Sequence, residues 1–165
     1  MNVNIKIETP LERPIDRWFS NYAADHVNHA NQKIHYVAVP MILWSATALL
    51  WCIPVPGTLF GNGLWAALTA YGAWMFYNRA SRLLGYGMLA TLFAMLCANW
   101  WLFGLIGNRG LVQLAVAVFV VAWIAQFIGH KIEGKKPSFL TDLVYLLIGP
   151  AWILGKVYRR FGWKF

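Results

Sequence analysis

The sequence predicts an all-α fold, a polytopic membrane helix bundle of four transmembrane helices followed by a short re-entrant or interfacial C-terminal hairpin. Three observations carry this expectation. The 165 residues are 59% hydrophobic and 12% charged, about half the charged share of an ordinary soluble domain, roughly 25%. The charges are also unevenly spread, because residues 34–78, 83–108 and 110–130 carry none. A helix needs roughly 20 apolar residues to cross a bilayer, so these gaps hold two crossings, one and one. Finally, 14 Lys+Arg stand against 6 Asp+Glu, and nearly all of the basic residues fall on one side of the resulting topology.

The elements follow in chain order. Residues 1–35 are polar and mixed in charge and read as a cytoplasmic arm, with no cleavable signal peptide. The first long gap divides at Pro54-Val55-Pro56-Gly57, where two prolines and a glycine break a helix. That gives spans at about 36–53 and about 59–78. A third runs about 84–105 to a Gly-Asn-Arg-Gly turn at 107–110, and a fourth about 111–130. The stretch 139–157 contains Pro150 and Gly155 and has too short an apolar centre to cross, so it reads as re-entrant or interfacial, with 158–165 as a cytoplasmic tail. Arg109 alone falls on the side opposite the termini, which places both termini in the cytoplasm by the positive-inside rule. The compact length and lack of a retention signal fit a bacterial inner membrane. Cys52 and Cys97 sit in apolar segments and read as packing residues. Trp18, Trp51, Trp100, Trp101, Trp152 and Trp163 fall near interfaces, as aromatic belts do.

The chain has four histidines. His26, His29 and His35 stand at the mouth of the first span, and His130 closes the fourth at the same membrane face, so an antiparallel bundle brings them to one depth. An ionisable group at that depth is costly and is usually paired or functional. His29 reads as solvated. Asn31 and His35 are an i, i+4 pair on one helix face, which allows Asn31 to steady the ring as a partner of a metal ligand does. His26 and His35 share an ion only if the helix breaks near 27–30 or His26 comes from a preceding turn. Glu133, three residues after His130, reads as a further ligand, an orienter of the imidazole, or a helix-end charge paired with Lys131 or Lys136. Three imidazoles, or two and a carboxylate, suit iron(II) with positions left open. Zinc is the chief rival on ligand type, and manganese a weaker one.

No phosphate-binding loop, dinucleotide turn, nucleophile elbow or H-E-x-x-H run is present. Nothing in the pattern points to nucleic acid, and basic residues at a membrane rim more often meet lipid headgroups. The competing classes are a non-enzymatic lipid-binding or scaffold protein and a metal-dependent hydrolase or desaturase-like enzyme. Diiron desaturase-type sites need about twice as many histidines as the four present, which favours a mononuclear centre.

Two blocks carry a family resemblance. Tyr22, His26, Asn31, His35 and Pro40 form Y-x3-H-x4-N-x3-H-x4-P, and Gln126-Phe127-Ile128-Gly129-His130 with Glu133 and Pro137 forms Q-F-I-G-H-x2-E-x3-P. In this order, separated by hydrophobic spans, they resemble the 2-hydroxy-fatty-acid dioxygenase family of small integral membrane proteins, over about residues 15–158. The resemblance implies an Fe2+-dependent α-oxidation enzyme of lipid metabolism that shortens a 2-hydroxy fatty acid by one carbon with O2. It implies His26, His35 and His130 as metal-binding catalytic residues and Asn31 and Glu133 as the other polar motif positions. The chain departs from the family pattern at Val27-Asn28-His29 and at Ser138-Phe139. Lys33, Arg79, Arg82 or Lys131 is expected to neutralise the substrate headgroup, and Trp44, Phe76, Phe127 and Phe139 to surround the acyl tail.

Overall fold

The computed structural model describes residues 13–57, 61–136 and 144–165. Expectations that fall on Pro137, Ser138 and Phe139 lie outside the described residues. Five helices form, and no strand is present among the described residues. The helix α1, Pro14–Ala24, opens on a proline, whose missing N–H costs nothing at a first helical position, and Asp16 in its first turn pairs with Arg13 at 2.7 Å. The helix α2, His29–Trp51, is capped by Asn28, whose side-chain oxygen accepts from Ala30 N at 2.8 Å and Asn31 N at 3.5 Å. Then come α3, Leu64–Ala80, α4, Arg82–Glu133, and α5, Tyr145–Arg160.

Within α4 the backbone at Gly107 is non-helical, with φ 66° and ψ −179°, a conformation open to glycine. It divides α4 into two arms, 82–106 and 108–133. In the first arm, the Leu83 carbonyl accepts from Tyr158 Oη of α5 at 3.0 Å, and Asn99 Nδ2 donates to Thr47 Oγ1 of α2 at 3.1 Å. This arm therefore runs in the direction of α2. In the second arm, Cys52 Sγ lies 3.9 Å from the Asn108 carbonyl and His35 meets His130, so this arm runs back antiparallel to α2. Gly63 N donates to the Trp51 carbonyl before α3 begins, and Tyr77 Oη near its end donates to the Leu147 carbonyl of α5 at 2.8 Å. Four apolar segments thus pass between the histidine end and the far end of the bundle. The turn expected over 107–110 contracts to Gly107 alone, because one positive φ reverses the chain and leaves 108–110 helical.

The core lies in two clusters. One surrounds the histidine end, with Ile15, Phe19, Tyr22, Leu84, Met88 and Trp152; the other, at the far end, joins Ala48, Cys52, Leu111 and Ala115. Between them the outside of the bundle is apolar: Phe93, Trp100 and Val121 are 65, 69 and 66% exposed. A water-facing monomer rarely shows so continuous an apolar surface. Two helices among the described residues are long and apolar enough to cross a membrane, His29–Trp51 and Arg82–Glu133, with mean hydropathy 1.5 and 2.4, which suggests membrane association. At 17 residues, α3 stands at the lower end of the roughly 17–25 residues of a crossing.

The structure differs from the sequence expectation at both ends. Much of the supposed arm 1–35 is helical, since α1 occupies Pro14–Ala24 and α2 begins at His29 rather than near 36. Over 145–160 there is one continuous helix and not a hairpin. Pro150 is tolerated because it deletes only the bond to the Leu146 carbonyl, while Ile148, Ala151, Trp152, Gly155 and Tyr158 bury one face at helical spacing. Nor is the C-terminal segment a free tail: Phe165 packs on Phe19 and its carbonyl accepts from Arg13 Nη2 at 2.8 Å. Trp152 is buried in the core instead of lying in an interfacial belt.

Candidate metal centre

Construction of the site begins in the last turn of α1. There Tyr22 stacks on His26 at a centroid distance of 4.0 Å, and the Tyr22 carbonyl accepts from His26 Nδ1 at 2.6 Å. The chain leaves the helical path at 25–28, which turns the His26 ring inward. Glu133, the last residue of α4, stitches this turn down. Its carboxylate accepts from Val27 N at 2.9 Å, from Asn28 N at 3.1 and 3.0 Å, and from Asn31 Nδ2 at 2.9 Å. Gln32 completes the fastening: its Nε2 donates to the His26 carbonyl at 2.6 Å, and its Oε1 accepts from Lys156 Nζ at 2.8 Å.

Nearly two turns into α2, His35 Nδ1 donates to the Asn31 carbonyl at 3.0 Å. It is therefore the backbone of Asn31 that holds this ring, and its side chain serves Glu133. From the end of α4, His130 faces His35, with Nε2 to Nε2 at 3.2 Å. Gly129 permits this approach, since a Cβ there would run into Asn31 Oδ1. His26, His35 and His130 are 1, 1 and 5% exposed, and one ligand atom from each lies within 4.8 Å of the other two. Burial lowers the pKa of His26, against the opposing effect of the Tyr22 carbonyl and of Asp25 and Glu133, and so favours the neutral form that binds metal.

Three features of this arrangement fit a cation. With Nδ1–H engaged by carbonyls, His26 and His35 each turn an Nε2 lone pair inward. The buried Nε2 of His26 has no hydrogen-bond partner, and a buried polar atom without one calls for an explanation such as an ion. Two nitrogens about 2.1 Å from a shared metal stand about 3.0 Å apart in octahedral and about 3.4 Å apart in tetrahedral geometry, and the 3.2 Å between His35 and His130 falls between these values.

The remaining sequence candidates lie elsewhere. His29 is exposed at the first residue of α2. Glu133 is adjacent to the triad through its hydrogen bonds but outside the group of converging ligand atoms. Lys33, Arg79, Arg82 and Lys131 are all exposed. Sequence reasoning missed Lys156, which sits 4.0 Å over the Trp152 ring and 2.9 Å from Tyr36 Oη. It also missed Gln32 and Trp152; for Lys156 and Trp152 the i, i+4 spacing was the available signal. A cavity of about 390 Å³ reaches the triad at His130, Gln126 and Tyr22 and is lined beyond them by apolar side chains. Trp44, Phe76 and Phe127 do not line it.

Over 147 residues the chain is 26% identical to the 2-hydroxy-palmitic acid dioxygenase MPO1 of Saccharomyces cerevisiae, covering 86% of this chain and 78% of that protein. A yeast relative lends no support to the bacterial inner membrane expected from the sequence. The chain also matches the rhomboid protease GlpG of Enterobacter sp. (strain 638), 31% identical over 87 residues. That stretch is 52% of this chain and 30% of the protease, too little to assign a family. No solved structure matches. A family model described as "2-hydroxy-palmitic acid dioxygenase Mpo1-like" matches residues 13–161, which contain all three converging histidines, and the chain belongs to this Mpo1-like family.

Proposed function

We propose that the protein binds one iron(II) ion between His26, His35 and His130 and uses O2 to convert 2-hydroxy fatty acids to fatty acids one carbon shorter. The observation that carries this reading is the buried triad with its inward Nε2 atoms, in a chain of a dioxygenase family. The overall change balances without another reductant: R–CH(OH)–COOH and O2 give R–COOH, CO2 and H2O. The α carbon gives up three electrons and the carboxyl carbon one, and together they reduce O2 fully. Zinc has no redox chemistry to offer such a reaction, so the proposed chemistry favours iron. Iron(II) at the triad supplies one-electron chemistry toward O2 and open positions for oxygen ligands.

The chain's own residues supply the rest. Carbonyl bonds from Tyr22 and Asn31 fix the His26 and His35 rings, and burial keeps bulk water away. Tyr22, whose phenol burial holds well above its ordinary pKa, and Gln126 give the cavity a polar end beside His130. Lys33, Arg79, Arg82 and Lys131 draw the anionic headgroup to this end of the bundle. In the membrane, the four apolar segments cross the bilayer and the triad faces the cytoplasm, a reading supported by the basic residues at the histidine end and by Arg109 alone beside the Gly107 bend.

The test is direct. Protein purified gently in detergent is expected to carry iron and, under ¹⁸O₂, to release pentadecanoate with one ¹⁸O in its carboxyl group from 2-hydroxypalmitate. Iron-loaded protein that yields no shortened acid would refute the activity.

A further inference from the structure

The cavity that meets the triad changes character along its length. At the histidine end its wall carries the polar groups of Tyr22, Gln126 and His130; deeper, it is formed by Val39, Ile42 and Ala46 of α2 and by Trp123 and Phe119 of α4. These positions recur at three- and four-residue steps, so each helix gives the cavity one face. From His130 to Phe119 the helix advances about 16 Å at 1.5 Å per residue. An extended chain covers roughly 1.2 Å per bond, from about 3.6 Å per three-bond residue, so this depth takes roughly thirteen bonds. The volume of about 390 Å³ lies within the roughly 300–1,000 Å³ of small-molecule sites. Its outer edge includes Thr69 of α3 and Leu146 of α5, both exposed on the apolar surface. A lipid-dissolved chain can enter sideways there without passing through water.

We propose that this cavity is the acyl-chain slot of the site and that Ala46, at its deep end, sets the longest chain accepted. The inference rests on the proposed activity, because the headgroup must sit at the triad for the tail to follow the slot. Among the positions that line the deep end, Ala46 has the smallest side chain, so growth there blocks the floor before it disturbs the mouth. The occupant is the tail of a single-chain 2-hydroxy acid. A bilayer phospholipid tail has the same chemistry, and the experiment separates the two.

Full-length protein in nanodiscs is irradiated with 2-hydroxyhexadecanoic acid carrying a diazirine next to its terminal carbon, and the adducts are mapped by mass spectrometry. Adducts are expected within 42–46, at Thr69 and at Phe119, and excess 2-hydroxypalmitate, but not phosphatidylcholine, should suppress them. Ala46→Phe should lower labelling by this probe by about tenfold or more, the scale of a pocket that loses room for methylenes, and leave labelling by a 2-hydroxydecanoic analogue intact. Ala46→Leu, a smaller plug, is read the same way if the Phe variant fails to fold. Adducts confined to outward residues such as Phe93 or Val121, suppression by phospholipid alone, or an unchanged length profile in a folded Ala46 variant would overturn the slot. Labelling does not depend on turnover, so correct labelling without chain-shortened product would count against the activity and leave the slot standing.

Discussion

His35 Nε2 and His130 Nε2 stand 3.2 Å apart across the α2–α4 interface, although 95 residues separate them in sequence. Two bare imidazole nitrogens do not seek each other, so something must lie between them: a proton held by one ring, or a cation shared by both. The unpartnered Nε2 of His26 at the same point favours the cation. His130→Ala and His35→Ala are each expected to reduce bound iron from about one ion per chain to background, since two imidazoles alone make a poor site. Metal analysis of folded, monodisperse protein checks this. A variant that keeps its full metal would remove that histidine from the ligand set.

Much of this site was legible in the chain. The charge-free stretches gave the apolar helices, and the requirement for a break near 27–30 anticipated the turn at 25–28 that turns His26 inward. What stayed hidden was long-range: Glu133 binds backbone N–H groups of Val27 and Asn28, and no spacing rule reveals a partner more than 100 residues away. Lys156 likewise reaches Gln32 and Tyr36 on another helix, contacts that its place in the chain does not reveal. The hairpin expected from the short apolar centre with its Pro150 and Gly155 is replaced over 145–160 by one helix that neither residue breaks. In the structure Gly155 is a contact site, where a Cβ would meet Phe165 and Phe19 at 2.8 and 2.9 Å.

Glu133 is expected to act as a fastener of the His26 turn. A hydrogen bond to a charged group contributes about 1.5–3 kcal/mol, and Glu133→Ala leaves three donors without their acceptor. Destabilisation by about 2 kcal/mol or more is expected, with faster amide exchange at 27–31 and iron affinity weakened about 10–100-fold. Glu133→Gln keeps an acceptor oxygen and should keep its metal with a smaller loss. Abrupt metal loss in the Gln variant would instead make the carboxylate a ligand.

Gly129→Ala probes the helix approach that brings His35 and His130 together. Its new Cβ meets Asn31 Oδ1, a buried atom with no hydrogen-bond partner, and lies 3.4 Å from His35 Cε1. Overpacking of this kind costs about 1–3 kcal/mol, and here it also separates the helices that carry the triad. A lower melting temperature together with weaker iron binding is expected. Gly104→Ala, with nothing within 4 Å of its Cβ, is the control and should be neutral or more stable by up to about 1 kcal/mol. Equal behaviour of the two variants would mean that the α2–α4 contact is looser than its geometry implies.

Gln32 joins α5 to the triad. Its amide takes a hydrogen bond from Lys156 on one side and gives one to the His26 carbonyl on the other, so it ties α5 to the turn that carries His26. Gln32→Leu keeps an apolar side chain of similar bulk and removes both bonds, leaving the His26 carbonyl without this donor and the Lys156 ammonium with Tyr36 Oη. An unsatisfied buried group costs about 1–3 kcal/mol, and the expected outcome is a stability loss of that size with iron affinity reduced about tenfold, as for other groups that orient a ligand. Lys156→Met should reproduce the weaker tie of α5 to α2 while sparing the bond from Gln32 to His26, and so lose stability with little loss of iron. If both variants release iron equally, the decisive contact is the ammonium itself rather than the amide that stands between it and the histidine.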